Sequence, residues 1–342
     1  MIVGVIGGGQ LARMLGLAGI PLGLSFRFLD PSADAPAAEV GQLLVGEYDD
    51  PKLLDRLADG AAAVTYEFEN VPVVAAERVG ALPAAAALEV SQDRLVEKQL
   101  FRRLRIPTPR IDDEVTDFPA ILKTRRFGYD GKGQQLVDSW SGPDGSHVLE
   151  ELVPFVRELS LLAVRAAGGE TSFWPLVENV HEDGILRTSR APAGDAPQVE
   201  AEAYGTRLLD ALGYVGVLAL ELFELEGGLL ANEFAPRVHN TGHWTIEGAS
   251  TSQFENHLRA ILGLPLGSTA SRPATMVNLI GTVPGAADLL RIPGAHLHLY
   301  GKEPRAGRKL GHVTLVEPTD EAEAALRGAV GKAASRAAER PS

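Results

Sequence analysis

Glu221 and Glu233 are the only acids in two short apolar segments, 215–223 and 229–234, that meet across Gly227-Gly228. Apolar runs flanking a Gly-Gly pair predict a β-hairpin. A turn centred on Gly227 sets Glu221 directly opposite Glu233 on one face of the sheet. Like charges so placed are destabilising, and an unpaired buried carboxylate costs more than a hairpin supplies. A divalent cation between the two acids resolves the conflict. Oxygen-only ligands, with the Asn232 amide beside them, suit Mg²⁺, which takes one or two carboxylates and the phosphates of a substrate. A two-residue Gly227-Gly228 turn would instead slip the register by one and put the acids on opposite faces. The strand runs on into Arg237, His239, Asn240 and His243, a density of polar groups that favours the metal site.

Cations supply the complementary chemistry. A strand over 120–123 delivers Lys123. Gly128, Gly131 and Gly133 then alternate with Arg125, Arg126 and Lys132, in a run that also holds Tyr129, Asp130 and Gln134. Small residues let backbone N–H groups close on phosphate oxygens. The run lacks the G-K-[ST] ending of a Walker loop, and as plain structure it would be a hairpin tip. A second basic run, Lys302, Arg305, Arg308 and Lys309, follows His296, His298 and Tyr300. In an acidic protein it reads as an anion pocket for a substrate phosphate. Glu158 heads a strand over 157–165 and can bond ribose hydroxyls or pair with Arg157 or Arg165 on the surface.

These groups need elements to hold them. The apolar run 1–6, Gly7-Gly8-Gly9, a helical spacing over 10–17 and a strand over 24–29 ending at Asp30 make a β-glycine-helix-β opening. Gly7-x-Gly9-x-x-Ala12 with Asp30 downstream fits the dinucleotide fingerprint, so an NAD-dependent oxidoreductase is the rival from another class. Strands at 42–45 and 62–66 complete a parallel sheet. The second leads into Glu67-Phe68-Glu69-Asn70, a ligand-binding strand end or a solvated loop. A helix over 92–104 stops before Ile106-Pro107-Thr108-Pro109. Further strands are expected at 146–149, 174–180 (followed by His181), 185–189, 276–281 and 296–300, with helices at 250–262 and 320–340. The fold class is α/β, turning to α+β in the later lobes. Its divisions fall at 1–92 (parallel sheet), 93–155 (a small lid), 156–270 (the main lobe with the metal acids) and 271–342 (a substrate-phosphate unit and terminal helix).

The 342 residues carry 45 acids against 32 bases, a net charge of −13, which argues against a nucleic-acid surface. Without cysteine, thiolate catalysis, disulfides and cysteine-ligated metals are excluded. No apolar run has the length of a membrane span and no signal peptide is expected, so the expectation is a cytoplasmic protein.

The parallel opening, the lysine–glycine run and the two metal acids together resemble the ATP-grasp superfamily. Within it the chain is similar to the 5-(carboxyamino)imidazole ribonucleotide synthases of bacterial purine biosynthesis. GGGQLARM at 7–14, KTRRFGYDGKGQ at 123–134, VENVHEDGILRTS at 177–189, NEFAPRVHNTGHW at 232–244 and YGKEPRAGRKLGH at 300–312 carry the likeness, which covers almost the whole chain. The resemblance implies a ligase that uses ATP, Mg²⁺ and bicarbonate to carboxylate aminoimidazole ribonucleotide, in a homodimer. Arg94 and Lys123 would touch the phosphates, and the loop 128–134 would close over them. Glu150, Glu151, Leu152 and Val153 would line the adenine, Glu158 would take the ribose, and His181 would lie beside the nucleotide. Asn232 and Glu233, with Glu221, would hold Mg²⁺. Tyr129, Arg237, His239, Asn240, Lys302 and Arg308 would face the ribonucleotide, with Arg237 and Lys123 serving catalysis. Another ligase of the superfamily, acting on a different ribonucleotide amine, is the nearer alternative.

Overall fold

The computed structural model describes residues 1–128 and 133–338; Tyr129, Asp130, Gly131 and Lys132 lie outside the described residues. Four parallel strands open the chain: β1 (Ile2–Ile6), β2 (Ser25–Asp30), β3 (Gln42–Val45) and β4 (Ala61–Tyr66), in the order β3-β2-β1-β4. The central strand β1 is buried along nearly its whole length, which is why it reads as an unbroken apolar run. Helices α1 (Gln10–Gly19), α2 (Pro51–Ala58), α3 (Val73–Arg78) and α4 (Ala85–Ser91) surround the sheet, and α5 (Arg94–Arg103) leads out of it. Asp93 caps α5, its Oδ1 accepting from the Leu95 amide at 3.1 Å.

A small antiparallel sheet follows: β5 (Ala120–Thr124), β6 (Gln134–Val137) and β7 (His147–Glu151), with β5 in the middle. The rest is one nine-stranded sheet. It contains β8 (Arg157–Arg165), β9 (Thr171–Phe173), β10 (Val177–Glu182), β11 (Ile185–Ala191), β12 (Gly216–Leu225), β13 (Gly228–Ala235), β14 (Ala274–Ile280), β15 (Ala295–Leu299) and β16 (Lys309–Val316). Its order is β13-β12-β8-β10-β11-β14-β16-β15, with β9 added to β8. Helices α6 (Gln198–Ala211), α7 (Thr245–Gly248), α8 (Gln253–Ile261), α9 (Ala286–Leu290) and α10 (Asp320–Ala338) complete the chain. The C-terminal strands extend the main sheet through β11–β14 pairing, Thr188 opposite Val277, and do not form a sheet of their own. The basic run is shorter than its sequence suggests, because Lys309 already begins β16.

The hairpin turn also differs from expectation. Leu225 faces Gly228, so the turn is Glu226-Gly227, and that register alone would oppose Glu221 to Asn232. A β-bulge corrects it. Leu222 faces Ala231 while Glu221 faces Glu233, leaving Asn232 outside the ladder. Bulges re-aim side chains next to functional sites, and here one restores the facing acids.

The first sheet and the main lobe share one apolar core. Val3, Leu15 and Phe28 pack in the same cluster as Leu162, Trp244 and Leu258, all buried. A polar tie crosses the same boundary: His257 on α8 bonds Thr65 of β4 at 2.9 Å through Nε2, and its Nδ1 accepts from the Val217 amide at 3.1 Å.

Candidate functional site

Strand ends of the main sheet, the tip of β5 and the carboxyl edge of the first sheet converge on a cleft of about 570 Å³. Of the residues expected at a site, its wall includes Arg94, Lys123, Gly128, Gln134, Glu158, His181, Glu221, Asn232, Glu233, Arg237, His239 and Asn240. Segments more than a hundred residues apart in sequence are thereby brought together.

At the centre, Glu221 and Glu233 face each other across the bulge. Arg94 donates to Glu233 at 2.6 Å, and His239 Nε2 lies 3.3 Å from Glu221. Because His239 Nδ1 accepts from the Thr241 amide at 3.4 Å, Nε2 carries the proton directed at Glu221. Burial, with the Glu233 charge, raises the pKa of Glu221. Burial also works against ionised Glu233, but Arg94 and Lys123 outweigh it and hold its pKa low. Burial, then the Arg237 charge, keeps His239 neutral well below the usual imidazole range. His181 is bonded to Glu158 at 2.6 Å; burial opposes its charged form, but that carboxylate raises its pKa above the ordinary value.

The donors fit Mg²⁺: two opposed carboxylates and an amide, all oxygen ligands in a cleft lined with cations. Among the described residues no group of three or more His, Asp or Glu side chains is placed to hold a metal ion by itself.

Lys123, next to last in β5, lines the cleft and is bonded to Glu150 at 2.8 Å, and Lys98 lies 3.6 Å from the same carboxylate. Burial opposes the charge on Glu150, yet the two lysines bring its pKa down to about 2. Glu150 is therefore turned toward lysines and is not part of the cleft wall, and its second oxygen is buried without a hydrogen-bond partner among the described residues. Glu151 pairs with Arg110 at 2.7 Å. Leu152 is exposed and Val153 buried, and neither they nor Gly133 line the cleft. Phe155 and Phe223 do, as a stacked pair with ring centroids 4.9 Å apart, a flat apolar surface suited to a base.

Lys302 and Arg308 also stand off the wall. Lys302 reaches it indirectly through a hydrogen bond to Gln10, while Arg308 donates to the Glu303 carbonyl at 3.1 Å and Lys309 lines the cleft. Sequence reasoning gave Gln10 no role, read 67–70 as either a ligand-binding strand end or a solvated loop, and placed Asp30 in a dinucleotide fingerprint. Glu69 pairs with Arg237. Burial opposes its charge, but the arginine keeps its pKa low. Glu67 accepts from the Gly9 and Ala12 amides, the latter at 2.9 Å. Asp30 accepts from the Gly8 amide at 2.8 Å and from Tyr48 at 3.1 Å. The amides that would bind a pyrophosphate in a dinucleotide fold are thus filled by the chain's own carboxylates. A Cβ on Gly9 would stand 2.5 Å from Glu67, so the glycines serve this close packing.

A cleft with opposed acids between two lobes, beside a lysine-bearing small sheet, is the arrangement of an ATP-grasp enzyme. Residues 110–254 match the ATP-grasp domain, residues 1–92 the ribonucleotide synthetase preATP-grasp domain, and residues 274–325 the phosphoribosylaminoimidazole carboxylase C-terminal domain. The N5-carboxyaminoimidazole ribonucleotide synthase of Pseudomonas aeruginosa is 50% identical over 339 residues, covering 92% of this chain and 94% of that protein. The Brucella melitensis protein of that name is 48% identical, with coverage of 92% and 96%. The crystal structure of the Thermus thermophilus N5-carboxyaminoimidazole ribonucleotide synthetase superposes with a TM-score of 0.89 at 54% identity, covering 96% and 97% of the two chains. The Aspergillus clavatus N5-carboxyaminoimidazole synthase, solved with ADP and 5-aminoimidazole ribonucleotide, gives 0.85 at 31% identity, covering 97% and 98%. The chain belongs to the N5-carboxyaminoimidazole ribonucleotide synthase family of ATP-grasp ligases.

Proposed function

We propose that this chain couples ATP hydrolysis to carboxylation of 5-aminoimidazole ribonucleotide, producing N5-carboxyaminoimidazole ribonucleotide, ADP and phosphate in purine biosynthesis. The observation that carries this reading is Glu221 opposed to Glu233 in a cleft where Arg94, Lys123 and Arg237 converge. Bicarbonate is a poor electrophile. Its oxygen attacks the γ-phosphorus of ATP, ADP leaves, and carboxyphosphate forms. The exocyclic amine of the ribonucleotide then attacks the carboxyl carbon, phosphate departs with the former bicarbonate oxygen, and the amine loses a proton. Phosphoryl transfer of this kind is positioning and charge neutralisation.

Arg94 and Lys123 hold the phosphates, and Phe155 and Phe223 flank the base beside the segment 150–153. Glu158 takes the ribose and His181 braces it. Arg237 stabilises charge developing on the transferred group, while His239 and Asn240 orient the acceptor. Glu221, Glu233 and Asn232 would hold Mg²⁺, which would supply neutralisation of phosphate charge when bound. Gly133, with residues 129–132, belongs to the phosphate loop in this reading, and Lys302 and Arg308 receive the ribonucleotide phosphate. The divisions 1–92, 93–155, 156–270 and 271–342 serve as opening sheet, lid, metal lobe and acceptor unit. We place the enzyme in the cytoplasm as a homodimer, testable by a solution mass twice that of the chain; no helix among the described residues is long and apolar enough to cross a membrane.

Phosphate release measured with aminoimidazole ribonucleotide, with glycinamide ribonucleotide and with no acceptor tests the reading. Release should depend on bicarbonate and on the first acceptor. Preference for glycinamide ribonucleotide would transfer the chain to another ligase activity.

A further inference from the structure

The strand that carries Glu233 is an edge strand with a bulge in it, an arrangement that leaves backbone groups without sheet partners. β13 ends the nine-stranded order, and Asn232 lies outside the β12–β13 ladder. The segment 94–108 takes the place of the missing neighbour. Pro107 accepts from the Ala231 amide at 2.7 Å, and Thr108 Oγ1 donates to the Ala231 carbonyl at 2.8 Å. Lys98 Nζ donates to the carbonyl of the bulged Asn232 at 2.6 Å. Glu97 Oε1 accepts from the Phe234 amide at 2.7 Å. Arg94, one turn earlier on the same helix face, meets the Glu233 carboxylate itself.

Glu97 and Lys98 are each only 1–2% exposed, and a buried charge is costly unless it is held by partners. Neither residue is explained by packing. Their contacts are with the backbone on both sides of Glu233, and through Glu150 Lys98 also meets the network of Lys123. The same N-terminal end of α5 is tied to the residue that follows β5: the Arg94 amide donates to the Arg125 carbonyl at 3.0 Å, and Asp93 binds Arg125 at 2.6 Å.

We infer that Glu97 and Lys98 are positioning residues for the metal site, fixing the bulge so that Glu233 is presented beside Glu221. The inference rests on the proposed metal reading of that acid pair. It assigns a role to Glu97, which lines the cleft beneath Glu233, and to Lys98, which does not line it.

The test compares binding of ADP with Mg²⁺ and binding of ADP in chelator, by calorimetry, for Lys98→Met, Glu97→Leu, Glu97→Gln and Glu233→Gln. Lys98→Met and Glu97→Leu should weaken Mg²⁺-dependent ADP binding roughly tenfold or more, the scale found when outer partners of metal ligands are removed. Binding in chelator should change less than about threefold and the Michaelis constant for aminoimidazole ribonucleotide less than about twofold, as uniform binding outside the metal site is untouched. Glu97→Gln keeps an acceptor for the Phe234 amide and should recover most of the loss. If Lys98→Met does not fold, the Glu97→Leu and Glu97→Gln pair decides the matter. Equal weakening with and without Mg²⁺, or no difference between leucine and glutamine at position 97, overturns the inference. Should Glu233→Gln leave the Mg²⁺ dependence intact, the metal reading itself fails. A loss in Glu233→Gln alone sinks only the role of α5.

Discussion

Arg94 bonds Glu233, and His239 Nε2 lies 3.3 Å from Glu221. Each acid therefore has a protein group beside it, and the hairpin is expected to fold with either acid replaced by its amide. Glu221→Gln removes one member of a repelling pair and should leave thermal stability within a few degrees of wild type. Turnover should fall by about a hundredfold or more, the scale of losing a preorganised electrostatic group; full activity at ordinary Mg²⁺ would contradict the assignment. The basic loop makes a separate prediction. Lys302→Ala and Arg308→Ala should raise the Michaelis constant for the ribonucleotide by roughly ten- to a hundredfold, as loss of a charged hydrogen bond costs about 1.5–3 kcal/mol. The constant for ATP should move less than about twofold, and steady-state kinetics with each substrate varied checks both. At this scale the facing acids, Lys123 and Arg237 were legible from residue type and position, while Arg94 entered only through the family resemblance. Glu97, Lys98 and Glu67 were not legible, because nothing in a sequence marks a charged side chain as buried against another segment's backbone.

Among the elements, the hairpin shows how a correct pairing can follow from an incorrect turn. Placing Gly227 at its centre gave Glu221 opposite Glu233, but the chain reaches that register through a bulge at Asn232. Local turn chemistry cannot reveal a bulge that depends on the neighbouring helix. β16 was missed for a related reason: Lys309 and Gly311 read as loop residues, while the pairing of His312 with Asn278 and His298 holds them in a strand. The helix α8 carries a prediction of its own. Burial lowers the pKa of His257 from 6.5 to about 4. The unfolded chain therefore takes up a proton below about pH 6.5 that the folded chain refuses until about pH 4. Stability from neutral His257 is complete above that window and declines as pH falls through it, by about 3 kcal/mol in all. Denaturant unfolding between pH 4 and 7 should show this slope, and His257→Gln should flatten it. An unchanged slope would mean that His257 does not tie the first sheet to the main lobe as its two hydrogen bonds suggest.

For the molecule as a whole, the order of strands and glycines at the start was legible, but its purpose was not. The fingerprint that suggested NAD is present as backbone, yet Asp30 and Glu67 occupy its amides. Calorimetry should detect no NAD or NADP binding, and a micromolar dissociation constant would reverse that view. Fold class followed from pattern because continuous apolar strands and alternating helices leave few architectures. The single sheet running from β13 to β15 did not, since sheet order is set by long-range pairing. The central claim is that ATP activates bicarbonate for capture by the ribonucleotide amine, and oxygen transfer tests it most directly. With ¹⁸O-labelled bicarbonate, ATP, Mg²⁺ and aminoimidazole ribonucleotide, mass spectrometry of the released phosphate should find one bicarbonate oxygen per phosphate, matched by carboxylated ribonucleotide. Phosphate released at the same rate but free of label would contradict the account.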